Sequence, residues 1–389
     1  MNEGSAATAA ESSKGSVSTA VSFLLPPPAA ITLAVISLLT VDLVSAMQVP
    51  DVPAPVFDSG VRMATHTGKM AWLSNRTLAV TAGGSYEDGK VVAIDVTTHA
   101  QTVLVDPGYL SCASASDGVV SILKGSLVRM FWGEAKGKGI PDPVSMLYRW
   151  DDSGARLVDE RPAAGSTWNP NICIRTASED TGEMSISFSR RGDRYLQPDD
   201  GRLQWELYGP DADQGRQPVF LAKPGRSPVR VDVRSTEVGF VPVYQPALKR
   251  YVLTGGYVSF GEGSFTRPPN NETFKEQPAV VMSKDGRITR LPVPVDLQKH
   301  LETLGASNAE TFPVANGLLL HAGGWKKSGA GLYTVARGAA SRIWCNANNY
   351  GEKCSVQALD VSPDGCHVAF VPHEYGQDTV HIISLCRSR

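Results

Sequence analysis

Val361-Ser362-Pro363-Asp364-Gly365-Cys366-His367-Val368-Ala369-Phe370 is the stretch that decides the fold. A polar turn built on Pro, Asp and Gly sits between an apolar residue and a run that ends in Val-Ala-Phe. Such a run is too short for a helix and is bounded by turn residues on its N-terminal side, so it reads as a buried strand entered through a hairpin. Elsewhere Ser283-Lys284-Asp285-Gly286 and Asp152-Ser153-Gly154 supply Gly where a tight hairpin needs positive φ.

Working outward, the same sentence recurs. Apolar second strands are expected at Leu78–Thr81, Leu127–Phe131, Tyr195–Gln197, Tyr251–Thr254, Leu318–His321 and Val368–Phe370. Each is followed by a loop opening on Gly or Pro and then by a third strand, as at Val91–Val96, Ser145–Trp150, Leu203–Tyr208, Ala279–Met282, Leu332–Val335 and Thr379–Leu385. Beyond residue 60 the 3.6-residue apolar period persists for about two turns at most, with a short helix expected near Leu297–Leu304. Six such units predict an all-β chain, a six-bladed β-propeller of four antiparallel strands per blade; seven blades and a pair of β-sandwiches are the alternatives. The last unit lacks a fourth strand, because only Arg387–Arg389 follow Cys386. Val61–Thr65 is therefore expected to close the ring against the last blade and remove its open edge.

The Ser-Pro-Asp-Gly run with its apolar sequel resembles the WD40-like repeat of TolB and related exported proteins. The resemblance covers one blade and implies a propeller fold and a habit of binding partners. The α/β domain that precedes the propeller in TolB-like proteins has no counterpart between residues 47 and 60.

The chain has 389 residues, 42% hydrophobic and 20% charged, with 37 Gly, 26 Pro and a formal charge of −2. Those proportions exclude a disordered tail, a coiled coil and a multi-span membrane protein. Balanced charge leaves no electrostatic case for binding nucleic acid. From Gly15 to Val41 no charged residue occurs, and the apolar part, Ala29–Val41, suits a signal-peptide core better than a span of about 20 residues. Val44-Ser45-Ala46 is an acceptable cleavage site. Residues 1–46 are thus expected to be a cleaved leader or an anchor that places the remainder outside the inner membrane, in a bacterial periplasm. Residues 47–60, with Pro50, Pro53 and Pro55, read as a linker, and 61–389 as the propeller. Membrane contact is expected through the N-terminal segment alone.

Six cysteines fit three disulfides, Cys112 with Cys173, Cys345 with Cys354 and Cys366 with Cys386, as an exported protein would carry. Catalytic signatures are missing. No G-x-S-x-G elbow occurs. His373-Glu374 lacks the second histidine of a zinc helix, since Gln377 stands there. Gly133–Gly139 lacks the ending of a phosphate loop. No metal or cofactor is expected, and histidines such as His321, His367 and His381 fall in strands, where a structural role is the default. The largest insertions fall on the face carrying the second-to-third-strand loops. They hold Trp132, Trp168, Asn169, Tyr257, Phe260, Trp325, Lys326 and Tyr350, aromatic anchors beside adaptable polar groups. The sequence thus points to a non-catalytic module binding a protein partner, or a glycan, through that face. An exported hydrolase or lyase acting on carbohydrate or lactone, with scattered channel residues, is the other reading.

Overall fold

The computed structural model describes residues 49–64, 69–83, 89–115, 118–126, 141–151, 154–162, 175–177, 184–186, 192–196, 201–205, 217–238, 242–260, 276–323, 328–345, 354–372 and 379–386. Nearly all regular structure is β. The order is β1 (Val56–Arg62); β2 (Met70–Trp72), β3 (Thr77–Ala82), β4 (Lys90–Asp95) and β5 (Gln101–Val105); β6 (Gly108–Ser114), β7 (Val119–Lys124), β8 (Val144–Asp151) and β9 (Gly154–Pro162). A two-stranded piece, β10 (Arg175–Ala177) and β11 (Met184–Ile186), precedes β12 (Gly192–Tyr195), β13 (Arg202–Trp205), β14 (Pro218–Ala222) and β15 (Val229–Arg234). Then come β16 (Val243–Gln245), β17 (Arg250–Thr254), β18 (Gly256–Ser259), β19 (Glu276–Gln277), β20 (Ala279–Ser283) and β21 (Ile288–Leu291), and the helix α1 (Val295–Thr303). The last strands are β22 (Asn308–Val314), β23 (Gly317–Gly323), β24 (Gly331–Ala336), β25 (Ala339–Trp344), β26 (Val356–Val361), β27 (His367–Pro372) and β28 (Thr379–Ser384).

The strands assemble into antiparallel sheets in chain order: β2–β5, β6–β9, β12–β15, β16-β17-β20-β21, β22–β25 and β26–β28 with β1. We number these sheets one to six. The arrangement is that of propeller blades. The deciding turn forms as read: Asp364 accepts from the Cys366 amide (2.9 Å) and the Ser362 hydroxyl (2.6 Å), and Ser362 Oγ accepts from the His367 amide (2.8 Å). Gly365 sits at φ +74°, with a Cβ position too close to the backbone of Val314 and Ala315 for a side chain. Ser283-Lys284-Asp285-Gly286 repeats the device in sheet four, where the Arg287 amide donates to Ser283 Oγ (3.1 Å).

Inner strands such as β3 and β27 are apolar because there the sheet is covered on both faces, while outer strands such as β5 and β15 turn polar residues outward. Sheets one and two share a core of Leu73, Ala79, Val91, Leu110, Val120 and Ile122. Leu203, Val219, Tyr251 and Met282 join sheets three and four. Sheets four and five meet around Ala279, Leu318, Leu320 and the two buried leucines of α1, Leu297 and Leu301. Leu319, Leu332, Val368 and Phe370 join sheets five and six, and Leu78, Val80, Ala369 and Val380 join six and one. Burying each such side chain is worth about 1.5–3 kcal/mol.

Four expectations shift. The strand pairing with the last sheet is β1, Val56–Arg62, five residues earlier than expected. Its inward residues alternate through Ser59 and Val61, and Ser59 Oγ donates to the Val380 carbonyl (2.7 Å). The stretch read as linker at 47–60 therefore supplies a sheet strand. In sheet two the second strand is Val119–Lys124, while Leu127–Phe131 lies outside the described residues. In sheet three, Gly192–Tyr195 and Arg202–Trp205 are the first and second strands rather than the second and third. Strands of three to five residues between polar turns carry no mark of their rank in a sheet; pairing alone assigns it.

Candidate functional site

Antiparallel order puts every second-to-third connection, and every exit from a fourth strand, at the same end of its sheet. Connections at the other end are two to six residues long, such as 315–316 and 223–228. At the first end 19 residues separate β7 from β8 and 24 separate β17 from β20. Trp132, Trp168, Asn169, Trp325, Lys326 and Tyr350 all belong to long connections at that end and lie outside the described residues. Tyr257 and Phe260 are described.

These two sit where the chain leaves sheet four. Gly255-Gly256 was read as a loop opening, yet β18 begins at Gly256 and crosses to the inner edge of sheet five, where it pairs with β22 and, on its other side, with β19. Two glycines are needed at the crossing, since a Cβ on Gly255 would lie 2.6 Å from the Thr311 carbonyl oxygen and one on Gly256 2.5 Å from the Ala279 nitrogen. Phe260 is half-buried against the core between sheets four and five, and its amide donates to the Ser307 carbonyl (3.0 Å). It packs rather than projects.

Register then builds a polar row. Gln277 pairs with Tyr257, Tyr257 with Glu310, and Glu310 with His321. Directly paired residues on neighbouring antiparallel strands share a face. The face is that of Phe312 and Leu319, which packs on sheet six. Glu310 Oε2 lies 3.7 Å from His321 Nδ1, with side-chain exposures of 56% and 15%. The imidazole beside it holds the Glu310 carboxyl below its ordinary range, against the opposing effect of burial. His321 Nε2 is buried and lacks a partner among the described residues. At 3.7 Å the contact is an ion-pair approach rather than a hydrogen bond, and it leaves the Glu310 carboxylate as the accessible partner. From sequence His321 reads as a structural strand residue and Glu310 carries no motif; only their cross-strand pairing brings the two together.

Two further titratable groups, Asp360 and Lys69, lie at or beside inner strands. On either side of β2, Lys69 and Leu73 carry bonds to β3, as Thr81 N→Lys69 O and Leu73 N→Thr77 O, both 2.8 Å. The amide of Trp72 therefore points from the free edge, and the Asp360 carboxyl of β26 accepts it together with the Val361 amide (2.9 Å). Burial outweighs those bonds and pushes Asp360 up to about 7. Burial also brings Lys69 down to about 8, its ammonium donating to the Ser111 carbonyl of β6 at 3.2 Å. Among the described residues no group of three or more His, Cys, Asp or Glu could hold a metal ion.

Cys345 and Cys354 are bonded with Cα atoms 5.4 Å apart, and Cys366 and Cys386 with Cα atoms 5.0 Å apart, as the hairpin geometry requires. Cys112 is disulfide-bonded, and Cys173 lies outside the described residues. Two such bonds suit an oxidising, exported compartment. No helix among the described residues is long and apolar enough to cross a membrane.

The sequence matches no known family and no curated protein. Among solved structures it is similar to oligogalacturonate lyase from Vibrio parahaemolyticus, at 9% identity over 82% of this chain and 77% of that one, with a TM-score of 0.33. A prolyl endopeptidase aligns at 12% identity over 82% of this chain and 42% of its own, TM-score 0.30. An oligogalacturonate lyase in complex with manganese aligns at 10% identity over 82% and 77%, TM-score 0.31.

Proposed function

We propose that the chain is an exported six-bladed β-propeller, closed by β1, that binds a protein partner in the cell envelope through the end bearing its long connections. The carrying observation is the asymmetry of connection length: one end spends up to 29 residues between successive blade strands, at 163–191, and the other at most six. A ring needs no such material for stability, and recognition surfaces are built on loops held by a rigid scaffold. Six blades are supported by shared cores at five of the six junctions between neighbouring sheets, including sheet six with sheet one. Near-neutral charge means that aromatic anchors and hydrogen bonds carry the contact rather than long-range steering.

The test is affinity capture from envelope extracts, followed by binding measurements with the purified partner. Trp168→Ala with Trp325→Ala should weaken binding at least tenfold and leave the melting temperature within about 2 °C. Unfolding by that pair would instead assign both residues to the core, and unchanged affinity would remove them from the contact.

One observation favours a second reading. Glu310, 56% exposed at the same end and held below its ordinary range beside His321, offers a carboxylate for proton abstraction from a carbohydrate or lactone substrate, as a hydrolase or lyase would need. Turnover of a glycan and lactone panel by the wild type, lost in His321→Gln, would establish it.

A further inference from the structure

Before β1 the chain makes a strap. Residues 50–54 run parallel along the outer edge of β25, the last strand of sheet five. Three backbone bonds hold the strap: Val52 N→Arg342 O (2.8 Å), Ala54 N→Ile343 O (2.9 Å) and Arg342 N→Pro50 O (3.0 Å). Pro50, Pro53 and Pro55 have no N–H to add more. Val52 is 54% exposed, and no residue from 50 to 53 is buried. By the measure of burial, the strap is a weakly retained unit.

What it covers is built more firmly. The Arg342 side chain is 6% exposed, lies over the Tyr333 ring with its guanidinium carbon 5.1 Å from the centroid, and donates through Nη2 to the Ser328 carbonyl (2.9 Å). Tyr333 is anchored in turn by its hydroxyl donating to Gly329 O (2.9 Å). Asp51 is the strap's carboxylate against this cation, 3.5 Å from Nε, which makes no hydrogen bond among the described residues. A buried guanidinium demands an anion, and an open strand edge demands another strand.

We propose that the β25 edge is an acceptor site for an extended acidic segment of a partner protein, and that residues 50–54 are its resident placeholder. The incoming segment runs parallel to β25, sets a carboxylate against Arg342 and displaces the strap. Main-chain bonding supplies affinity and the carboxylate supplies selectivity, the logic of strand addition. Because the strap is intramolecular, its occupancy lowers the apparent affinity of any competitor by the fraction of chains in which the edge is open.

The test uses the full chain with Asp51→Lys and Val52→Pro, which removes the strap's carboxylate and one of its donors while leaving β1 intact. The probe is a fluorescent peptide of residues 48–56, with a second peptide carrying Asn for Asp51. The variant should bind the acidic peptide at least tenfold more tightly than wild type does, and at least tenfold more tightly than it binds the Asn peptide. No binding, or equal binding of the two peptides, overturns the proposal. Should the variant fail to fold, hydrogen exchange on wild type decides it. The Val52 and Ala54 amides should exchange at least a hundredfold faster than the strand amides of β1, and exchange only through global unfolding would refute a displaceable strap.

Discussion

Asp360 should make this protein's stability fall with rising pH across the neutral range. Its carboxyl sits between β26 and the free edge of β2, accepting two backbone amides, yet burial raises it from the ordinary 3.8 to about 7. An acid with a raised folded value keeps its proton in the native state while the unfolded chain has lost it. Between those values the unfolded chain binds fewer protons, so stability declines by about 1.4 kcal/mol per pH unit. The full loss approaches about 4 kcal/mol by pH 8, of which about 2.5 kcal/mol falls between pH 5 and pH 8. Asp360→Asn keeps an amide-accepting oxygen and abolishes the titration. At pH 5 the variant should match or fall below wild type, because its NH₂ adds buried donors. At pH 8 its relative stability should have risen by about 2.5 kcal/mol. Urea unfolding of both proteins at half-unit steps from pH 5 to pH 8.5 reads this directly. A difference between them that stays constant within about 0.5 kcal/mol over that range refutes the assignment of a buried, protonated carboxyl.

Other consequences are simpler. Gly317→Ala should cost about 2–4 kcal/mol in denaturant unfolding, because φ is +145° and a Cβ there would overlap the Val335 carbonyl oxygen. Cys366→Ala with Cys386→Ala opens a bridge spanning 20 residues and should lower stability by about 3 kcal/mol, read against wild type kept oxidised. Glu310→Gln should cost under about 1 kcal/mol, since the carboxylate is largely exposed. That contribution, from a lowered folded value, is present above pH 4.5 and is lost as the medium becomes more acidic, so the variant and wild type should converge at pH 3 in thermal melts.

Much of the fold was readable along the chain because propeller strands bond mostly to sequence neighbours. Second strands at Leu78–Thr81, Tyr251–Thr254, Leu318–His321 and Val368–Phe370 all fall inside observed strands. The helix expected near Leu297 is α1. Rank within a sheet was not readable where strands are short, which is why the third sheet slipped by one. Tyr257 and Phe260 look alike in sequence, as aromatics after a Gly-Gly pair. Tyr257 enters the row with Glu310 and His321, whereas Phe260 packs with Val258 on the opposite face, because successive side chains along β18 alternate between the two faces of sheet five.

The sequence alone determined what depends on local chemistry: turns closed by Ser, Asp and Gly, strands bounded by them, and cysteines set opposite each other by a hairpin. Tertiary structure decided what depends on residues far apart in the chain. It brought Asp360 to the edge of β2 and Asp51 to Arg342 across some 290 residues. No local period or turn encodes such pairings, because they follow from the order in which sheets stack and from the edges that stacking leaves open.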